Sequence, residues 1–216
     1  MSTTGESGPR AAQQRQPARL RRHGLREQKK DLTRATIEAR ALHRFLAEGY
    51  EHVRLEDLCA DCLVSTRTFF RYFTSKEDLV LGRLRSHLDL AEELFASRPA
   101  DEPPLVSLRA VITQTVSDYA AQPERELARL RLVTTTPLLE AGLGRVFAGF
   151  ERLVRQFTAA HYQTNDDDQS PRLTAAAAVA AFRVGLEMWM ESNAETALAT
   201  LILDNLDQLT AGIREM

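Results

Sequence analysis

With 216 residues, 44% hydrophobic and 27% charged, the chain has room for one sizeable core or two small ones and is too apolar to be disordered throughout. A formal charge of −2 hides an asymmetry, because residues 1–90 carry 17 Lys and Arg against 12 Asp and Glu while residues 91–216 carry 11 against 18. The first part suits an anionic partner and the second does not.

Within residues 1–34 nine Lys and Arg face only Glu6, Glu27 and Asp31, and no apolar period runs between them, so residues 1–28 are expected to form a flexible basic arm. From Lys29 to Glu48, Ile37, Ala41 and Phe45 recur at helical spacing until Gly49 supplies a stop. Leu55 to Cys62 reads as a short second helix. Ser65 is a good N-cap for a third, over Thr66 to Tyr72, with Phe69 and Phe73 on its buried face and Thr66, Arg67 and Arg71 pointing outward. Ser75 to Asp78 fits a capping box, opening a fourth helix that runs toward Ser97 on a stripe of Leu81, Leu84, Leu88, Ala91 and Phe95.

Further helices are expected over Leu105–Ala121, over Glu124 to Val133, and from Thr136 as a cap with Pro137 in the first turn. The polar stretch at residues 164–171 reads as a loop, and two last helices follow over Arg172–Ser192 and Glu195–Arg214. About nine helices and no strand make an all-α chain. The longest apolar run, Ala175–Phe182, is well short of the roughly 20 residues that cross a bilayer. MSTTGESGPR lacks the apolar stretch of a secretory signal, so a cytoplasmic location and no membrane partner are expected.

A short helix, a tight turn and a second short helix opening on Ser-Thr-Arg-Thr have the dimensions of a helix-turn-helix, whose second helix enters the DNA major groove. The run VSTRTFFRYFTSKEDLV, residues 64–80, resembles the signature of the tetracycline-repressor (TetR) family of transcription regulators, and FLAEGYEHVRLEDLC, residues 45–59, resembles the segment before it. The resemblance implies that Ser65, Thr66, Arg67 and Thr68 approach bases or nearby phosphates, that Tyr72 touches the backbone, and that Lys76 meets a phosphate. Arg54 stands where the family has a capping Ser or Thr, losing a cap and gaining a possible phosphate contact; Arg71 completes the expected DNA-binding set. Leu63 replaces the turn glycine, so the turn is either remodelled or strained. Phe70 replaces a common tyrosine, which shifts affinity toward the basic arm and its arginines in the flanking minor groove.

The resemblance divides the chain into the arm at 1–28, a DNA-binding domain at 29–76 and a ligand-binding and dimerisation domain at 77–216. It implies a homodimer through the last two helices, a pseudo-palindromic double-stranded DNA operator, and a hydrophobic small-molecule effector. Tyr119, Phe147, Phe150, Phe182, Leu186, Trp189 and Met190 are the expected cavity residues. The effector is an acyl-chain metabolite or a lipophilic cation attracted by Glu140, Glu187 or Glu191. The small residues Ala175 to Ala181 with Gly185 suit close helix approach at a two-fold interface. No cofactor or metal is expected: Cys59-Ala-Asp-Cys62 is a CxxC with no further cysteine, and Asp166 to Asp168 lack the pattern of a calcium loop. The rival readings are a DNA-binding protein without effector and a helical enzyme.

Overall fold

The structure, a computed structural model, describes residues 18–212, with the side chains of Lys30 and of residues 32–212. Among them the chain is all-helical: α1 (Ala18–Glu48), α2 (Leu55–Asp61), α3 (Thr66–Phe69), α4 (Asp78–Ala96), α5 (Pro104–Thr115), α6 (Pro123–Thr135), α7 (Pro137–Tyr162), α8 (Gln169–Glu191) and α9 (Leu198–Thr210), with a 3-10 turn at Ser117–Ala121. Helix α1 begins at Ala18 instead of Lys29. Pro17 stands just before it, and the Arg, Leu, Glu, Gln and Lys that follow are strong helix formers even without an apolar period. Residues 18–28 therefore form helix rather than arm, and residues 1–17 lie outside the described residues.

Helices α1 to α3 form a small head. Gly49, at φ +86, ends α1 in the left-handed conformation that glycine adopts without a Cβ penalty, and its amide donates to the Phe45 carbonyl at 3.0 Å. Ile37, Phe45, Leu58, Phe69 and Phe73 are buried together, and this cluster continues without a break through Leu79 and Leu81 of α4 into the larger body. The body is built mainly from α4 on α7, α7 on α8, and α8 on α9. Helix α4 thus belongs to both parts.

Local chemistry explains most boundaries. The Asp78 amide donates to Ser75 Oγ at 3.1 Å, and the Asp78 carboxylate accepts from the Thr74 amide at 3.0 Å, a reciprocal cap at the head of α4. Helix α5 stops at Thr115, earlier than expected, and tightens into the 3-10 turn, where the Tyr119 amide donates to the Val116 carbonyl. Thr136 occupies the cap position of α7 without a side-chain cap bond, and Pro137 at the first turn removes one donor that would need a partner. Helix α9 starts at Leu198, after a turn in which Asn193 and Ala194 take positive φ, 51° and 62°.

The small residues of α8 serve the chain's own core. Ala175, Ala178 and Ala181 are buried among α7 and α9, and a Cβ on Gly185 would lie 2.6 Å from Ile202 Cγ1 and 3.1 Å from its backbone. The close approach at Gly185 is an α8–α9 contact within one chain, while Ala176 and Ala180 of the same run remain exposed. Helix α8 is long and apolar enough to cross a membrane by length and composition, and it packs on one side against α7 and α9, with Leu173, Val184 and Met188 exposed.

Candidate nucleic-acid interface and ligand cavity

The turn between α2 and α3 is left-handed at Leu63, with φ 55°. The Val64 amide donates to the Cys59 carbonyl and the Leu63 amide to the Ala60 carbonyl, both at 3.0 Å, which is the Schellman closure usually built on glycine. Leu63 is 90% exposed, so its side chain has no packing that offsets the strain. Leu63→Gly is expected to leave stability unchanged or raise it by up to about 1 kcal/mol, read as a higher melting temperature; a lower one would show that the leucine supports the turn.

Ser65 caps α3 as its sequence position implies. Its hydroxyl accepts from the Thr68 amide at 3.1 Å and lies 2.9 Å from the Thr68 hydroxyl. Thr68 is half-buried by this pairing, leaving Ser65, Thr66 and Arg67 exposed at the helix start. The helix is shorter than expected, ending at Phe69, with looser turns through Tyr72. Phe69 and Phe73 are 0% and 1% exposed with ring centroids 5.3 Å apart, so the head's core holds one side of α3 and its polar edge faces outward. Among the described residues, neither Arg54 nor Arg67 enters an ion pair, and both are exposed. Arg71 lies over the Tyr72 ring and donates to its hydroxyl at 3.0 Å.

Lys76 is engaged within the protein. Its ammonium donates to the Val53 carbonyl at 2.9 Å and sits 4.3 Å from the Tyr50 ring centroid and 5.7 Å from that of Phe45. Partial burial lowers its pKa, with Glu51 pulling the other way. The side chain ties the connector after α1 to the start of α4 instead of projecting toward a phosphate. Arg44 similarly bridges Asp61 of α2 and Glu48 of α1, at 2.7 Å to each. Cys59 and Cys62 are free thiols whose pKa is raised chiefly by burial, which leaves them protonated packing groups.

The body holds two adjoining spaces. A small, almost wholly apolar cavity of about 40 Å³ is lined by Leu84, His87 and Leu88 of α4, Thr115, Tyr119, and by Leu143, Val146, Phe147, Phe150, Phe182 and Leu186 of α7 and α8. An open groove of about 420 Å³ runs between α6, α7 and α8 and includes Glu140, Glu151, Arg183, Glu187 and Met190. Of the expected cavity residues, Tyr119, Phe150 and Phe182 line the smaller space, Met190 the groove, and Phe147 and Leu186 both. Trp189 lines neither, packing edge-on against Tyr119 at 5.6 Å. Glu191 lies outside the groove.

His87 and Thr115 were hidden in the sequence, the first as a lone histidine and the second as one more residue of α5. From the cavity wall a line of polar and charged side chains leads toward the head. His87 Nε2 lies 3.1 Å from Asp118, Asp118 pairs with Arg83 at 2.7 Å, Arg83 with Glu126 at 3.2 Å, and Glu126 with Arg129 at 3.3 Å. Arg129 donates to the Leu79 and Val80 carbonyls, at 3.0 and 3.2 Å, in the first turn of α4. Burial disfavours the Arg129 cation and Glu126 partly restores it.

A family model described as bacterial regulatory proteins, tetR family, matches residues 37–82, and one described as the MftR C-terminal domain matches residues 102–214. The chain is 35% identical over 173 residues to the HTH-type transcriptional regulator TcmR of Streptomyces glaucescens, covering 77% of this chain and 76% of that one. Its fold matches FadR from Bacillus subtilis in complex with stearoyl-CoA, with a TM-score of 0.58 at 17% identity, covering 83% of this chain and 99% of that one. It also matches Thermus thermophilus FadR in complex with lauroyl-CoA, with a TM-score of 0.55 at 18% identity and coverage of 85% and 96%.

Proposed function

The chain belongs to the TetR family of transcription regulators, and from that premise we propose that it is a cytoplasmic repressor released from a pseudo-palindromic operator by a hydrophobic effector. The observation that carries the DNA-binding part is the edge of α3: a helix fixed by two buried phenylalanines and a serine cap, with Ser65, Thr66 and the unpaired Arg67 exposed. These three and Thr68 meet base edges or adjacent phosphates, while Arg54, Arg71 and Tyr72 meet the backbone. Lys76 joins them only by leaving the Val53 carbonyl. The dimer forms through α8 and α9, whose Leu173, Val184, Met188 and Leu209 are exposed apolar residues.

Arg67→Ala is expected to weaken binding to the preferred operator by about 1–3 kcal/mol and to change non-specific binding far less. Equal losses on operator and unrelated DNA would make Arg67 a backbone contact.

Effector release uses α4, which packs on the head and forms a wall of the apolar cavity at Leu84, His87 and Leu88. A ligand that prefers one position of this helix shifts the spacing of the two reading heads. Regulators of this family are generally non-enzymatic, and the same space serves binding here. A DNA-binding protein without effector is the second reading, favoured by the small volume of the apolar cavity; the larger groove favours an effector. The test is to select genomic DNA fragments with the purified protein and then follow their release by fluorescence anisotropy as apolar compounds are added. Release by at least one such compound supports the repressor reading, and binding untouched by all of them supports the effector-free one.

A further inference from the structure

We propose that Leu63 reads DNA: its side chain enters the major groove beside the start of α3 and packs on the C5-methyl group of a thymine, so that the preferred operator carries a thymine at that place in each half-site. This deepens the DNA-binding reading and rests on it. Leu63 is 90% exposed, more than any other large apolar side chain among the described residues. It also holds φ at 55°, a left-handed conformation that glycine adopts freely and a leucine only under strain. The other non-glycine residues at positive φ among those described are Gln163, Asn193 and Ala194, polar or small, so only Leu63 sets a large apolar side chain on such a backbone.

An exposed leucine alone is ordinary surface. One that is exposed and strained at once gives the fold nothing: it buries little apolar area, and the backbone bonds that close its turn, from Leu63 to Ala60 and from Val64 to Cys59, are those a glycine makes equally well. Strain that the chain leaves uncompensated points to a contact outside the fold. The place of Leu63 in the head says which contact. It stands two residues before Ser65, so the two Cα atoms are within about 7 Å, beside the exposed edge of Ser65, Thr66 and Arg67. A side chain next to a helix in the major groove meets base edges there, and the thymine methyl is the apolar group those edges present. Asp61, the one acidic residue within two positions of Leu63, has its carboxylate paired with Arg44 at 2.7 Å and its carbonyl bound by Arg40, so no unpaired acid adjoins Leu63 in the chain to repel the flanking phosphates. Phe70, 56% exposed and one helical turn beyond Thr66, is the rival reader of a methyl on this edge.

The test takes the operator that the purified full-length protein selects and replaces its thymines one position at a time by uracil, which pairs identically and lacks only the methyl. Binding is followed by fluorescence anisotropy. At one position in each half-site the loss of the methyl should weaken binding about fourfold, the worth of one buried carbon. Leu63→Ala keeps a side chain on the left-handed backbone without the reach, and Leu63→Gly removes the strain as well. Both variants should bind the thymine and uracil duplexes at that position within about 1.5-fold of each other, whereas Phe70→Ala should keep the difference of about fourfold. Indifference of the unaltered protein to every methyl, or a difference that survives both Leu63→Ala and Leu63→Gly, would overturn the proposal and leave the reading head standing. A protein that selects no fragment at all would defeat the DNA-binding reading, and the proposal with it.

Discussion

Replacing Glu126 by alanine is expected to destabilise the protein by about 3–5 kcal/mol, because it strands a buried cation. Arg129 is 1% exposed and Glu126 is equally buried. The guanidinium uses one nitrogen on the Leu79 and Val80 carbonyls, while its Nε and its other terminal nitrogen have no hydrogen-bond acceptor. Glu126 lies 3.3 Å from Nε, near enough to balance the charge but off the line of a hydrogen bond. Its carboxylate is therefore the chief electrostatic support of Arg129, and Arg83 on its other side also loses a partner. The pair itself is weak evidence of net stabilisation, since a buried ion pair repays its desolvation only in part. Glu126→Leu combined with Arg129→Met should accordingly recover much of the loss. Urea midpoints of the single and double variants check both statements, and a single-variant loss below about 1 kcal/mol would show that water reaches Arg129.

Phe69→Ala is expected to cost about 3–5 kcal/mol and to abolish operator preference together. Phe69 is fully buried, and its ring lies 5.3 Å from both Phe73 and Phe70. Helix α3 has only four helical residues, too few to persist without tertiary support, so the loss of its anchor releases the edge that carries Thr66 and Arg67. Phe70→Ala is the control. That ring is 56% exposed, and its removal should change stability by less than about 0.5 kcal/mol. Thermal melts with operator titrations distinguish the two, and a Phe69→Ala protein that keeps its operator preference would show that α3 is positioned by something else.

These two sites differ in how visible they are in the chain. The anchor and cap of α3 were legible because they are local: Ser65 stands three residues before Thr68, and Phe69 and Phe73 are one helical turn apart. The stop at Gly49 and the cap at Ser75 are local in the same way. The contacts of Lys76 with the Val53 carbonyl and the rings of Phe45 and Tyr50 are not legible in the chain, because they depend on the path of the connector after α1, which no spacing rule reveals. The start of α1 was placed late because a helix rich in charged helix formers carries no apolar period until it reaches the core. Cavity residues were legible only as a pool of apolar side chains, since Trp189 filling space and Phe147 lining it have the same pattern. The alanine run signals close helix contact but not its partner: Gly185 meets Ile202 of the same chain, which only the fold reveals. The line of polar and charged side chains from His87 to Arg129 joins α4, the 3-10 turn and α6, and only the fold brings these together.

The most direct test of the reading head is a footprint of the purified protein on the genomic fragment it selects. Two protected half-sites of matching sequence in inverted order are expected, with centres about 34–36 Å or a multiple apart, and Arg67→Ala should erase the base preference within each. A single unsymmetrical protected stretch, or protection that Arg67→Ala leaves unchanged in position and base preference, would contradict the assignment of α3 as the element that reads DNA.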